Sequence, residues 1–170
     1  KTAHRKGVDF LSGYCAVKPA PADIVITTNG GYPLDQNAYQ CPKGMSAAEA
    51  TVNDGGVIIM LATCQDGHGG ESYYHSIADA ESADAFFQQC LHTPQVETLP
   101  DQWCAQIWCR IVRKYKVLFV ADKAQEQLIR DLKVEYFETL DEAYARAREL
   151  KGPDATLTCI PNGVSVVVKD

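Results

Sequence analysis

Short runs of apolar, often β-branched residues alternate along the chain with longer segments in which apolar residues recur every three or four positions. The short runs are typical of buried strands and the longer segments of amphipathic helices. The pattern predicts strands over residues 23–28, 57–62, 117–121, 134–137, 155–160 and 164–168. It predicts helices over residues 3–17, 78–91, 102–115, 125–132 and 139–150, and another that begins near Ser46. Strands and helices therefore alternate through most of the chain.

This alternation predicts an α/β fold, Rossmann-like in layout, with a mainly parallel sheet, helices on both faces and right-handed crossovers. Pro161–Gly163 separates the last two predicted strands and is typical of a turn, so we expect an antiparallel C-terminal hairpin. In sheets of this kind ligands bind beyond the carboxyl ends of the strands, where the strand order reverses. The loops after the first two strands are therefore the places to seek a site.

Composition narrows the classes of function. The chain has 170 residues with 16 Lys and Arg against 22 Asp and Glu, and its net charge of −6 repels nucleic acid and anionic lipid. The longest apolar run, Gly55–Ala62, is far shorter than the roughly 20 residues of a membrane span. The first residues lack the continuous apolar stretch of a signal peptide, and seven scattered cysteines, an odd number, are typical of reduced thiols. We expect a cytoplasmic protein with neither a nucleic-acid nor a membrane partner.

The loop after the first predicted strand carries the candidate chemistry. It contains neither the dinucleotide pattern GxGxxG nor the phosphate-binding pattern GxxxxGK[ST]. Tyr39, Gln40 and Lys43 are spaced so that they would share one face of a continuous helix. Together these residues could bind a small hydroxy acid. The Lys43 ammonium would contact the carboxylate, the Gln40 amide the hydroxyl and the Tyr39 ring the carbon atoms. A solvated helix face explains the same residues, so both interpretations are open at this point.

Two further residues of this loop have alternative placements. Pro42 disfavours helical geometry at Cys41, so Lys43 lies either on the shared face or turned away from it. Asp35 follows a Pro-Leu pair and either orients a residue of the site or caps the next turn.

Other reactive residues give less specific patterns. His68 and His75 flank a glycine loop and, with Glu71, offer three metal ligands, but no fourth ligand is evident and a solvated loop explains them equally. Trp103 and Trp108 point in different directions on a helix, so we expect one of them at a cleft and the other in the core.

The stretch from Ala22 to Met45 resembles the C-terminal domain of the nickel-pincer lactate racemase family. Its specific part is the pattern GGYPLD…YQxxKG, which runs from Gly30 to Gly44. The loop Gly67–Glu71 and the segment Asp101–Trp103 are also similar to that family.

The resemblance implies a racemase or epimerase of 2-hydroxy acids that moves a hydride to and from a nickel-pincer nucleotide, a pyridinium-derived cofactor. Members of the family hold that cofactor and the catalytic histidines in an N-terminal domain, and their C-terminal domain closes over the substrate. By position, the residues that match the family's substrate-side residues are Tyr39, Gln40, Lys43 and Trp103. We therefore expect a small 2-hydroxy acid as ligand, with no catalytic residue, cofactor or metal on this chain alone.

The resemblance also implies a division of the chain. Residues 1–21, a helix followed by the stiff linker Lys18–Pro21, would join an N-terminal catalytic domain missing from this sequence, and residues 22–170 would form the C-terminal α/β domain. The isolated chain is then expected to be catalytically inactive. The alternative is a stand-alone, non-catalytic α/β binding module, and a third hypothesis, a nucleotide-dependent oxidoreductase, lacks its phosphate-binding pattern.

Overall fold

The computed structural model describes residues 1–169, so Asp170, the last residue of the predicted 22–170 domain, lies outside the described residues. The strands are β1 (Ala16–Val17), β2 (Ala22–Thr28), β3 (Val52–Leu61), β4 (Lys116–Val120), β5 (Glu135–Phe137), β6 (Leu157–Ile160) and β7 (Val167–Val168). The helices are α1 (Thr2–Cys15), α2 (Pro42–Glu49), α3 (Glu71–Ala78), α4 (Ala83–His92), α5 (Gln102–Val112), α6 (Glu126–Asp131) and α7 (Leu140–Lys151).

Five strands form one parallel sheet in the order β5-β4-β3-β2-β6. The strand β2 comes first in the chain among these five, yet it lies between β3 and β6, the last of them. The strand order therefore reverses at β2, which is where open parallel sheets bind ligands. The predicted α/β fold with a mainly parallel sheet and helices on its faces is confirmed.

The predicted antiparallel C-terminal hairpin is wrong. β6 runs parallel to β2, and β7 runs parallel to β1 in a separate two-stranded sheet. The chain does not fold back after β6 because it bonds to the end of β2 instead. Thr28 Oγ1 donates to the Pro161 carbonyl oxygen at 2.6 Å, and the Gly163 N–H donates to the Thr28 carbonyl oxygen at 2.9 Å. These long-range hydrogen bonds outweigh the local turn preference of the Pro-Asn-Gly sequence.

The helix α2 begins four residues earlier than the sequence predicts, at Pro42 instead of Ser46. Proline suits the first helical position, because its fixed φ is helical and its missing N–H has no partner there in any case. Ser46 does not cap the helix, since its hydroxyl donates to the Pro42 carbonyl oxygen at 2.7 Å. The polar loop that contains the site residues is therefore shorter and more ordered than expected.

The helices α3 and α4 replace the single helix predicted over residues 78–91. α3 occupies 71–78, and α4 begins at Ala83 because the Ser82 side chain accepts the Ala85 N–H and caps it. The cap predicted for the last helix is confirmed, since Thr139 and Glu142 form a reciprocal capping box at the start of α7.

Helices cover the sheet on both faces. One face carries the larger core, in which Met60 and Trp108 are fully buried. On the other face Ile59 belongs to a smaller cluster with Ala143 and Ala147 of α7, whose short side chains allow a close approach of helix and sheet. The larger core lies beneath α2 and α5, the two helices that position the candidate site.

The helix α1 lies outside both cores. None of its 14 residues is buried, and the side chains of Phe10 and Tyr14 are mostly exposed. No helix among residues 1–169 is long and apolar enough to cross a bilayer.

Candidate functional site

Asn29 braces the loop that carries the candidate site. It follows β2 directly and is fully buried. Its Nδ2 donates to the carbonyl oxygens of Leu34 and Gln40, each at 2.8 Å, and its Oδ1 accepts the Gly44 N–H at 3.1 Å. A Cβ on Gly44 would lie 2.6 Å from Asn29 Oδ1, so only glycine fits there. One side chain thus fixes both ends of the segment that holds Tyr39, Gln40 and Lys43.

Gln40 and Lys43 lie together despite the proline between them. Cys41 adopts helical angles, with φ −62° and ψ −31°, because Pro42 serves as the first residue of α2. The Lys43 ammonium donates to Gln40 Oε1 at 2.5 Å. Of the two placements open to Lys43, the structure shows the one on the shared face.

Tyr39 is held by the first turn of α5. Its hydroxyl donates to Asp101 Oδ1 at 3.1 Å, and its ring meets the Trp103 ring edge-on with centroids 6.2 Å apart. The Cys104 thiol donates to the Tyr39 carbonyl oxygen at 3.3 Å. Burial, followed by the hydrogen bond to Asp101, raises the pKa of Tyr39 to about 12. The phenol therefore stays protonated at neutral pH.

A small cavity joins these side chains. Its volume is about 80 Å³, and its lining consists of Tyr39, Pro42, Lys43, Ser46, Trp103, Cys104 and Ile107. Pockets for drug-sized ligands start near ~300 Å³, so this cavity suits only a small molecule or one end of a larger one. The cavity offers one ammonium group, two aromatic rings and a hydroxyl. That set of groups is chemically suited to a small carboxylate with an apolar side.

Three of the four predicted site residues line this cavity, and the fourth, Gln40, bonds to one of them. Trp103 is 56 % exposed while Trp108 is fully buried, which confirms that only one tryptophan lies at a cleft. Four larger cavities, of about 290 to 400 Å³, are present among the described residues, and their linings contain none of the four residues. The side chains around the small cavity, and not its size, distinguish it from the larger ones.

Asp35 ties two loops together and does not cap a turn. It is nearly buried, and its Oδ2 accepts the Thr63 N–H at 3.2 Å, while its backbone carbonyl accepts the Cys64 N–H at 3.0 Å. The next turn follows Asn37, without a capping bond from any side chain. Asp35 therefore joins the loop after β2 to the loop after β3.

The histidine loop holds no metal set within the part of the chain that the structure describes. His68 and His75 approach different oxygens of Glu71, at 3.6 and 3.5 Å, and the His68 ring stacks on Tyr74. Across residues 1–169 no three or more His, Cys, Asp or Glu side chains are placed to hold a metal ion. Among the described residues, no donor set fits the nickel that the family resemblance assigns to an N-terminal domain.

Sequence reasoning missed Asn29 and Asp101. Asn29 stands in an Asn-Gly-Gly triplet and was interpretable as a turn residue alone. Its position directly after a buried strand, where side chains face the ligand edge of the sheet, is the signal that could have found it. Asp101 lies directly before a helix and has the pattern of an ordinary cap, so its bond to Tyr39 left no signal in the sequence.

Comparison with known proteins identifies the family of the chain. The family model for the lactate racemase C-terminal domain matches residues 17–168. The chain is 48 % identical over 169 residues to the lactate racemase of Lactiplantibacillus plantarum and 45 % identical over 168 residues to that of Thermoanaerobacterium thermosaccharolyticum. The matches cover 99 % of this chain, but only 40 % and 39 % of those relatives.

A solved structure shows the same fold. The lactate racemase apoprotein from Thermoanaerobacterium thermosaccharolyticum superimposes with a TM-score of 0.94 at 45 % identity, over 99 % of this chain and 40 % of that one. The family model and both relatives span nearly all of the described residues. The chain belongs to the lactate racemase C-terminal domain family.

Proposed function

We propose that this chain is the substrate-closing C-terminal domain of a cytoplasmic 2-hydroxyacid racemase or epimerase that resembles lactate racemase. The observation that carries the proposal is the pairing of Lys43 with Gln40 beside a small cavity walled by Tyr39 and Trp103. A chain nearly half identical to two lactate racemases has these groups at one place. The substrate is a small 2-hydroxy acid such as lactate.

Each residue has a separate task in this proposal. The Lys43 ammonium binds the substrate carboxylate through a charge-assisted hydrogen bond. The Gln40 amide, already oriented by its bond to Lys43, donates to the substrate's hydroxyl or keto oxygen. Tyr39 and Trp103 form walls that exclude water and limit the size of the substrate. The chain thus binds and positions the substrate.

The redox chemistry belongs outside this chain. Residues 1–169 present no donor set for a metal ion. The chain spans about 40 % of the length of the curated relatives that it matches. We therefore assign the nickel-pincer nucleotide, which supplies the hydride acceptor, and the catalytic histidines to an N-terminal domain joined through residues 1–21. Without that domain the chain is expected to be inactive.

The test uses the full-length protein loaded with its cofactor, with D-lactate or L-lactate as substrate and chiral chromatography as readout. Lys43→Ala is expected to lower kcat/KM by about tenfold to a hundredfold, the value of one charge-assisted hydrogen bond. Lys114→Ala is the matched control, because Lys114 is also exposed but pairs with Asp54 away from the cavity. The control should leave kcat/KM unchanged, since exposed ion pairs contribute little.

Two results would contradict the proposal. Equal kinetics for Lys43→Ala and the wild type would remove Lys43 from the substrate site. Binding of 2-hydroxy acids by a full-length protein that never racemises them would favour the non-catalytic binding module.

A further inference from the structure

Asp101 occupies a capping position but does not cap its helix. It directly precedes α5 and has left-handed backbone angles, φ 60° and ψ 1°. Aspartate at such a position usually accepts a backbone N–H of the first turn. Here its side chain makes no capping bond and accepts the proton of the Tyr39 hydroxyl instead, across 62 residues of chain. The start of α5 therefore lacks a side-chain capping bond, and the Asp101 carboxylate stabilises the position of Tyr39 instead.

The first turn of α5 contacts Tyr39 at three points. The Asp101 carboxylate holds the hydroxyl, the Trp103 ring meets the Tyr39 ring, and the Cys104 thiol donates to the Tyr39 carbonyl oxygen. The Asp101 carbonyl oxygen accepts the Cys104 N–H at 2.9 Å and closes the turn. Asp101 and Trp103 therefore belong to one hydrogen-bonded turn that packs against Tyr39.

The segment before Asp101 is itself anchored. The Ser72 hydroxyl of α3 donates to the Pro100 carbonyl oxygen at 2.7 Å, and the Leu99 N–H donates to Gln102 Oε1 at 3.0 Å. A Cβ on Gly70, just before α3, would lie 3.7 Å from Asp101 Oδ2. The carboxylate is thus held on a rigid support formed by two helix starts.

We propose that Asp101 is a positioning residue of the substrate site: its carboxylate holds the Tyr39 hydroxyl and so fixes the Tyr39 ring against Trp103 before a ligand binds. A wall formed in advance lowers the conformational cost of binding, because the ligand does not have to order it. The proposal rests on the proposed function for its kinetic readout. Its effect is on binding, so its loss raises KM more than it lowers kcat.

The positive φ of Asp101 determines which substitutions can test its role. Asp101→Gly removes the carboxylate and suits a positive φ, whereas alanine would add strain there. Asp101→Asn tolerates the same backbone and keeps an oxygen that can accept the phenol proton. Each variant is made in the full-length protein, alone and together with Tyr39→Phe.

The kinetic outcome separates positioning from general stability. Asp101→Gly should raise KM for lactate about tenfold, and Asp101→Asn should recover most of that loss. In the Tyr39→Phe background, which lacks the hydroxyl, Asp101→Gly should add little. Additive effects of the two changes would overturn the proposal, because they would mean that Asp101 acts without Tyr39.

A spectroscopic titration tests the contact without any turnover. The protein carries tyrosine labelled with ¹³C at Cζ, and Tyr39→Phe assigns the Tyr39 signal. The groups that face Tyr39 are Asp101 and Cys104 of α5, Lys43 of α2 and Tyr73 of α3. The pKa of Tyr39, which burial and then the bond to Asp101 raise in the wild type, should be lower in Asp101→Gly, because a negative acceptor no longer favours the protonated phenol.

An unchanged Tyr39 midpoint in Asp101→Gly would overturn the positioning role even in an active racemase. A lowered midpoint in a protein that does not racemise lactate would support the positioning role and overturn the proposed function. If Asp101→Gly does not fold, Asp101→Asn provides the test. It should lower the Tyr39 midpoint by a smaller amount, and an unchanged midpoint would overturn the positioning role.

Discussion

The two ends of the parallel sheet use their polar side chains differently. At the amino end, Asp23 accepts the Thr156 N–H and hydroxyl through Oδ2 and the Asn53 amide through Oδ1, so both of its oxygens have partners. At the carboxyl end, Asp35 Oδ1 and Asn37 Oδ1 are buried and have no hydrogen-bond partner among the described residues. At the amino end both carboxylate oxygens of Asp23 are therefore hydrogen-bonded, whereas at the carboxyl end two buried side-chain oxygens are not.

The difference shows where the fold places stability and where it places binding. Polar groups at the amino end join three neighbouring strands, because Asp23, Asn53 and Thr156 lie at the starts of β2, β3 and β6. At the carboxyl end the chain leaves β2 in a longer loop that leads into α2, and α2 carries Lys43 beside the cavity. Substitutions at the amino end should therefore affect folding, and most of those at the carboxyl end should affect binding.

The largest expected loss of stability comes from an exception to this comparison. Asn29 lies at the carboxyl end of the sheet, yet its side chain has a structural role. Asn29→Ala removes three hydrogen bonds, which leaves the part-buried Leu34 and Gln40 carbonyl oxygens and the buried Gly44 N–H without their side-chain partner. It should lower the free energy of unfolding by about 3 kcal/mol or more in urea titrations. Asn162→Ala is the control, since Asn162 accepts one bond from Ser165, and it should cost about 1 kcal/mol or less. Equal losses would show that Asn29 does not brace the loop.

A second prediction concerns the pH dependence of stability that arises from Asp23 at the amino end of the sheet. The Thr156 N–H, followed by the Asn53 and Thr156 side chains, lowers the pKa of Asp23 from 3.8 to about 2. The stability from this group is complete above the unfolded pKa and is lost as the pH falls from about 4 toward 2, because protonation then favours the unfolded chain. Stability measured across that window should fall more steeply in the wild type than in Asp23→Asn.

The control for this measurement is Asp154→Asn, which changes an exposed carboxyl at the same end of the sheet. Its pH dependence should match that of the wild type. A parallel pH dependence for Asp23→Asn would mean that the hydrogen bonds around Asp23 do not contribute to stability.

The smallest expected changes in the free energy of unfolding are those of two lysine variants, one at each end of the sheet. Lys43→Ala should change the free energy of unfolding by less than about 0.5 kcal/mol, because Lys43 is exposed and its hydrogen bond goes to the part-exposed Gln40 side chain. Lys151→Ala should lower it by up to about 1 kcal/mol, because Lys151 donates to the Gly55 carbonyl oxygen. Urea titration of both variants measures the difference, and a larger loss for Lys43→Ala would assign Lys43 a structural task.

Much of this architecture could be predicted from the sequence. Apolar runs located five strands of the sheet, and the Thr139–Glu142 pattern located the start of α7. Spacing brought Gln40 and Lys43 together correctly, because three residues along a helical turn is a local relation. The family pattern then selected the same residues as the geometry.

The wrong hairpin and the missed Asp101 contact arose where distant segments compete with local preference. The sequence around Pro161–Gly163 favours a turn, but Thr28, far away in the chain, binds that segment and directs β7 to β1. In the same way Asp101 has the local pattern of a cap, and only the approach of Tyr39 across the fold gives its carboxylate another partner.

The sequence by itself determined the order and type of most of the elements, the acidic charge and the identity of the polar residues near the first strand, because these follow from composition and short-range spacing. The tertiary structure alone decided that β6 lies beside β2, that Asn29 braces the loop, and that Tyr39, Trp103 and Lys43 share one cavity. The physical reason is that hydrogen bonds and side-chain packing between distant segments form only once the sheet has brought those segments together.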